Sequence, residues 1–146
     1  MSARVKVESE GAGFAHIIIE GGQGEGSDMV LPLEIRTNTG YELKYSLLET
    51  EGCSPPIQVS IESVRASGAG VLPLAAEESK RQATKLAKPG SPAQLLSGPR
   101  VSAGGTMSSR SNALLVVVKF QSKQSRNRGC GWKARILLSL HPNEIV

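Results

Sequence analysis

Tyr41-Glu42-Leu43-Lys44-Tyr45-Ser46-Leu47 carries an apolar residue at every second position, and Ile57-Gln58-Val59-Ser60-Ile61-Glu62 does the same. A period of two sends alternate side chains to opposite faces of an extended chain, whereas a helix would need apolar residues three and four apart. Both runs therefore read as strands with one wet face, separated by Ser54-Pro55-Pro56. Working outward, residues 29–36 form a strand in which Pro32 has no backbone N–H to donate, which predicts an edge or a bulge there. Thr37-Asn38-Thr39-Gly40 is a turn signal. Phe14-Ala15-His16-Ile17-Ile18-Ile19-Glu20 is a first main strand, with Arg4–Val7 pairing at an edge and a glycine-rich break at 21–27. Residues 113–121 and 132–140 flank the polar loop 122–131 and predict a terminal hairpin of buried strands, in which Trp132, Ala134, Ile136, Leu138 and Leu140 share one face. Seven or eight short strands between turns indicate an all-β, Ig-like β-sandwich forming one domain over 1–146. Trp132 follows both cysteines, so the Cys–Trp–Cys order of antibody domains is absent.

The stretch 66–112 differs from the rest, being rich in Ala, Gly, Ser and Pro. Within it, residues 74–88 have good helix propensity, Glu77 and Arg81 are spaced as an i,i+4 pair, and Pro89-Gly90 would end a helix. The expectation is one short crossover helix near 74–88, with a ragged strand as the alternative because the apolar stripe is weak.

Charge divides along the chain. Residues 1–79 hold 12 acids against five bases, formally −7, while residues 80–146 hold 12 bases against Glu144 alone, formally +11. This polarity can guide self-assembly or attract an anionic partner, but it does not set a fold. No apolar run approaches the ~18–20 residues that span a bilayer, so membrane insertion is not expected. The first residues lack a signal-peptide hydrophobic region. Either the protein stays inside the cell or a leader once preceded Met1; the second case favours an extracellular or cell-surface location. Cys53 and Cys130 are the only cysteines, each beside glycine. They are a candidate disulfide closing a long loop, worth roughly 4 kcal/mol if unstrained, or else two ordinary thiols.

No catalytic constellation is recognisable. Gly22-Gln23-Gly24-Glu25-Gly26 brings negative charge and precedes a strand, so it reads as a loop and not a phosphate cradle. His16 and His141 lack ligand partners at metal spacing, no Gly-x-Ser-x-Gly frames a serine, and no carboxylate pair stands out. Neither a metal nor a small-molecule cofactor is expected. The sharpest local feature is basic: Lys123, Arg126, Arg128, Lys133 and Arg135 form a candidate anion- or partner-binding hairpin, set against the reading of a solvated tip. Tyr41, Tyr45 and Trp132 would suit a sugar platform only if exposed, and their alternation with polar residues points to the core.

The segment Arg36-Thr37-Asn38-Thr39-Gly40-Tyr41-Glu42-Leu43 through Cys53-Ser54-Pro55-Pro56, together with Trp132-Lys133-Ala134-Arg135-Ile136, resembles secreted bacterial β-sandwich proteins of the pilus or fimbrial-subunit style. The charge split and the absence of catalytic motifs point to a non-enzymatic extracellular or cell-surface β-sandwich working through protein contacts or self-association, for which a subunit of a pilus-like or other assembly is the expected form. The alternatives are a module for a polyanion or nucleic acid using the 123–135 segment, and a carbohydrate-binding or carbohydrate-active domain.

Overall fold

The computed structural model describes residues 4–11, 13–21, 27–37, 39–52, 56–68, 71, 80–81, 85–86, 92–101, 113–122 and 131–142. Its strands are Arg4–Gly11 (β1), Phe14–Gly21 (β2), Ser27–Ile35 (β3), Tyr41–Gly52 (β4), Ile57–Ser67 (β5), Lys80–Arg81 (β6), Lys85–Leu86 (β7), Ala93–Gly98 (β8), Ala113–Ser122 (β9) and Trp132–Pro142 (β10). No helix occurs among the described residues. The strands form two sheets, in the orders β1-β2-β10-β4-β8-β6 and β3-β9-β5-β7, and every pairing is antiparallel. The fold is an all-β sandwich. Strands β2-β10-β4-β8 facing β3-β9-β5-β7 give the alternating order of a jelly roll, in which successive strands keep changing sheet.

Alternation builds the core. Ile17, Ile19, Tyr41, Leu43, Ile136 and Leu138 from the larger sheet meet Val59, Leu114, Val116, Val118 and Phe120 from the smaller one, all buried. The polar residues between them point outward. Pro32 lies on β3, an edge strand of the smaller sheet, the kind of position to which proline is confined within sheets. Strand β1 takes the other expected edge, beside β2.

Two expectations are corrected. Residues 113–121 and 132–140 do not form a hairpin: β9 lies between β3 and β5 in one sheet, and β10 between β2 and β4 in the other. Alternation shows that a strand is buried on one face, but it carries no information about which neighbour it pairs with. The helix expected near 74–88 is also absent from its described residues. Lys80–Arg81 pairs with Ser97 and Leu96, and Lys85–Leu86 with Val59 and Gln58. Without an apolar stripe, helix propensity alone does not outweigh the backbone bonds offered by two open sheet edges.

Among the described residues, four β-bulges break the regular pleat. Glu8 in β1, Leu48 in β4, Glu62 in β5 and Leu95 in β8 are each skipped in the register with the neighbouring strand. A bulge bends its strand and re-aims the side chains that follow. At the far end of β4, Gly52 has φ +72°, and a Cβ there would collide with the carbonyl oxygen of Gly131, so only glycine fits.

Candidate functional site

Placing β10 between β2 and β4 puts the basic last strand between two acid-bearing early ones. Lys133 is in register with Glu20 on β2 and Glu51 on β4, while Arg135 aligns with Ile18 and Glu49. Arg135 then reaches in both directions: its Nη1 is 3.5 Å from Glu8 Oε1, and its Nε is 3.0 Å from Glu49 Oε1. The Nε contact is an ion pair by distance, not a directed hydrogen bond, so this buried N–H is left without a hydrogen-bond acceptor among the described residues. A buried donor in that condition is uncommon in native proteins and marks a site worth explaining.

The carboxylates that flank Arg135 sit at two of the bulges. Glu8 is itself the extra residue of β1, and Leu48 is the extra residue immediately before Glu49 in β4. Glu8, Ser9, His16, Leu48, Glu49 and Arg135 line a depression of about 400 Å³ on the outward face of the larger sheet. His16 makes an edge-to-face contact with Phe14, ring centroids 5.7 Å apart and planes at 79°. The Phe14 ring lies across Gly11, where a Cβ would strike it, and is 43% exposed. An open aromatic ring, an imidazole, a guanidinium and two carboxylates thus occupy adjoining positions of one sheet face.

A second ionic cluster lies one row away. Arg4 donates from Nε to Glu20 Oε1 at 3.0 Å, and Lys6 Nζ stands 3.6 Å from the same oxygen. The Arg4 hydrogen bond holds the Glu20 carboxyl below its ordinary value; desolvation opposes this, and Lys6 and Lys133 reinforce it. On the core side, burial alone pushes the Tyr45 phenol up, and its hydroxyl has no hydrogen-bond partner among the described residues.

Of the five basic residues singled out from the sequence, Lys133 and Arg135 thus stand among carboxylates. Lys123, Arg126 and Arg128 lie outside the described residues, as do Cys53, Cys130 and the glycine-rich 22–26 segment. Tyr41, Tyr45 and Trp132 are core residues, 0%, 2% and 5% exposed, so the ring on the open face is Phe14 instead. His141, next to last in β10, is exposed, with Nε2 sharing a hydrogen bond of 2.9 Å with Ser139 Oγ. Sequence reasoning placed His16 opposite Ile17 and Ile19. It missed Glu8 and Glu49 because their approach to Arg135 depends on strand order and on the bulges. No group of three or more His, Cys, Asp or Glu suited to a metal occurs among the described residues, and no helix among them is long and apolar enough to cross a membrane.

No family model and no curated protein matches the chain. Among solved structures it is similar to TmCBM61, determined in complex with β-1,4-galactotriose, at 10% identity over 97% of this chain and 88% of that one, with a TM-score of 0.41.

Proposed function

We propose that this protein is a non-enzymatic binding module that holds a carbohydrate on the outward face of its larger sheet. The observation that carries the reading is Arg135, set between Glu8 and Glu49 in a depression whose neighbouring ring, Phe14, is open. Sugar hydroxyls both donate and accept. The two carboxylates supply acceptors and the guanidinium supplies donors, in positions fixed by paired strands. The Phe14 ring offers an apolar face to the C–H side of a sugar ring. Two carboxylates against one guanidinium leave the cluster net negative, which suits a neutral polyol better than an anion. Both carboxylates are exposed and share the same cation, so neither has the apolar setting that turns a carboxyl into a general acid.

Titration calorimetry against neutral oligosaccharides tests this. Binding is expected with the wild type, with at least about a tenfold loss in Arg135→Ala and a smaller loss in Phe14→Ala, as for charge-assisted and stacking contacts respectively. Failure of every neutral glycan to bind, or equal affinity in Arg135→Ala, overturns the reading.

A second reading is docking of a protein, or of another copy of the chain, on the smaller sheet. It is favoured by the outward face of β3 and β9, where exposed Val30 and Pro32 adjoin half-buried Leu115 and Val117. Sedimentation across a salt and concentration series addresses the self-association form, which a strict monomer at low salt would remove.

A further inference from the structure

A larger concavity opens at the end of the sandwich, between the sheets. It measures about 560 Å³, within the range of small-molecule sites, and shares no lining residue with the Arg135 depression. Its floor is aliphatic: Leu43 and Leu138 are buried, and Leu33 and Leu140 half-buried. One wall is tied in place, since the Leu140 amide donates to the Gly13 carbonyl at 2.7 Å. The polar lining consists of Glu10, Glu34 and Arg36. Arg36 Nη2 lies 2.7 Å from Glu34 Oε2, so those two charges cancel. Glu10 makes no ion pair among the described residues.

Glu10 also faces an unusual way for a charge. Val5 and Val7 pair with core-facing Ile19 and Ile17, so uninterrupted alternation would turn Ser9 inward and Glu10 outward. The Glu8 bulge reverses that parity, and Glu10 comes into register with Ala15, a core-facing residue of β2. The bulge therefore delivers one unpaired carboxylate to the core side of the sheet, at the mouth of an aliphatic cleft.

We propose that this cleft binds an amphipathic amine, with the hydrocarbon on Leu33, Leu43, Leu138 and Leu140 and the ammonium paired with Glu10. Charge complementarity selects the cation: once Arg36 and Glu34 cancel, the lining holds a single net negative charge. An alcohol would gain the apolar contacts alone, and a carboxylate would be repelled. The cleft shares the Phe14 ring with the carbohydrate reading, but neither Glu10 nor its leucines belong to that site and Arg135 does not line this one, so each reading can fail without the other.

The test uses n-hexylamine, 1-hexanol and hexanoate at neutral pH, followed by amide chemical shifts in the ¹⁵N-labelled full chain. The expected result is saturable shifts at Gly13, Leu33 and Leu140, with the amine favoured over the alcohol by about tenfold and hexanoate weakest. Glu10→Gln should bring the amine to the level of the alcohol without altering alcohol binding. Leu140→Trp, filling the cleft, should abolish both. Equal affinity of amine and alcohol in the wild type, an undiminished amine preference in Glu10→Gln, or shifts that avoid the cleft would overturn it.

Discussion

The outward faces of the two sheets solve the same problem differently. On the larger sheet, basic β10 lies between β2 and β4, and charges pair across strands: Arg4 and Lys6 with Glu20, and Arg135 with Glu8 and Glu49. On the smaller sheet, β9 lies between β3 and β5 with Leu115 and Val117 outward, beside exposed Val30 and Pro32, while Asp28–Lys119 pairs toward one end and Glu34–Arg36 toward the other. The inner faces are alike; the outer faces are not. The opposite charges of the two chain halves therefore do not become two opposed surfaces on the described sheets. The fold inserts a strand of one sign between strands of the other, and Asp28–Lys119, Glu8–Arg135 and Glu49–Arg135 all join the acidic half to the basic half.

The largest expected effect tests whether the two sheets, so different outside, are one unit inside. Phe120 on the smaller sheet and Ile136 on the larger are both fully buried. Phe120→Ala should cost about 3–5 kcal/mol and Ile136→Ala about 2–5 kcal/mol of unfolding free energy. Trp132 belongs to the larger sheet, so its fluorescence in urea reports that layer. If the core is shared, Phe120→Ala lowers the Trp132 midpoint as much as the midpoint followed by far-UV circular dichroism. An unshifted Trp132 transition would mean that the layers unfold separately.

The next effect concerns one end of the larger sheet. Cys53 and Cys130 lie outside the described residues, but each is one peptide bond from a described glycine, and Gly52 and Gly131 are in contact. Protein folded in a glutathione redox buffer is expected to show no free thiol by mass spectrometry after alkylation. Reduction should then cost roughly 4 kcal/mol on the chain-entropy model. Two alkylated cysteines in the oxidised sample would count against the bond.

The strands were legible because alternation records which face is buried: Tyr41, Leu43 and Tyr45 point inward as their spacing requires. Pro32 at an edge was legible for an equally local reason. What was not legible depends on neighbours. The runs 113–121 and 132–140 look like hairpin partners because they are adjacent in sequence, yet either could pair with any strand of matching length. Glu8 and Leu48 carry no mark of a bulge; each is simply one residue more than its partner strand can match. The candidate site follows from both omissions together. Arg135 could be read as an outward cation on an alternating strand, but its carboxylates come from strands about 85 and 125 residues earlier, brought together only by the antiparallel strand order. The helix expected at 74–88 failed for the complementary reason, since propensity is local and the available sheet edges are not.

The smallest effect lies in the ion pairs that set the larger sheet's outer face apart. The Glu20 carboxyl is held below its ordinary value of 4.5, mainly by the Arg4 hydrogen bond. A carboxyl whose folded value is depressed binds fewer protons when folded than when unfolded. Its contribution is therefore fully present above the unfolded value and is lost as pH falls through the folded one. Glu20→Gln should shift the urea midpoint little at about pH 7, because surface pairs are weak. It should shift it still less in strong acid, below the folded value, where wild-type Glu20 is protonated as well. The wild type should thus converge on the variant as pH drops below 4.5, while Glu34→Gln, whose partner Arg36 lies beyond the end of the edge strand β3, controls for loss of a single exposed pair. Parallel midpoint curves for wild type and Glu20→Gln across that acid range would show that Arg4 and Lys6 add nothing to the face, and that the contrast between the sheets is one of composition without energetic consequence.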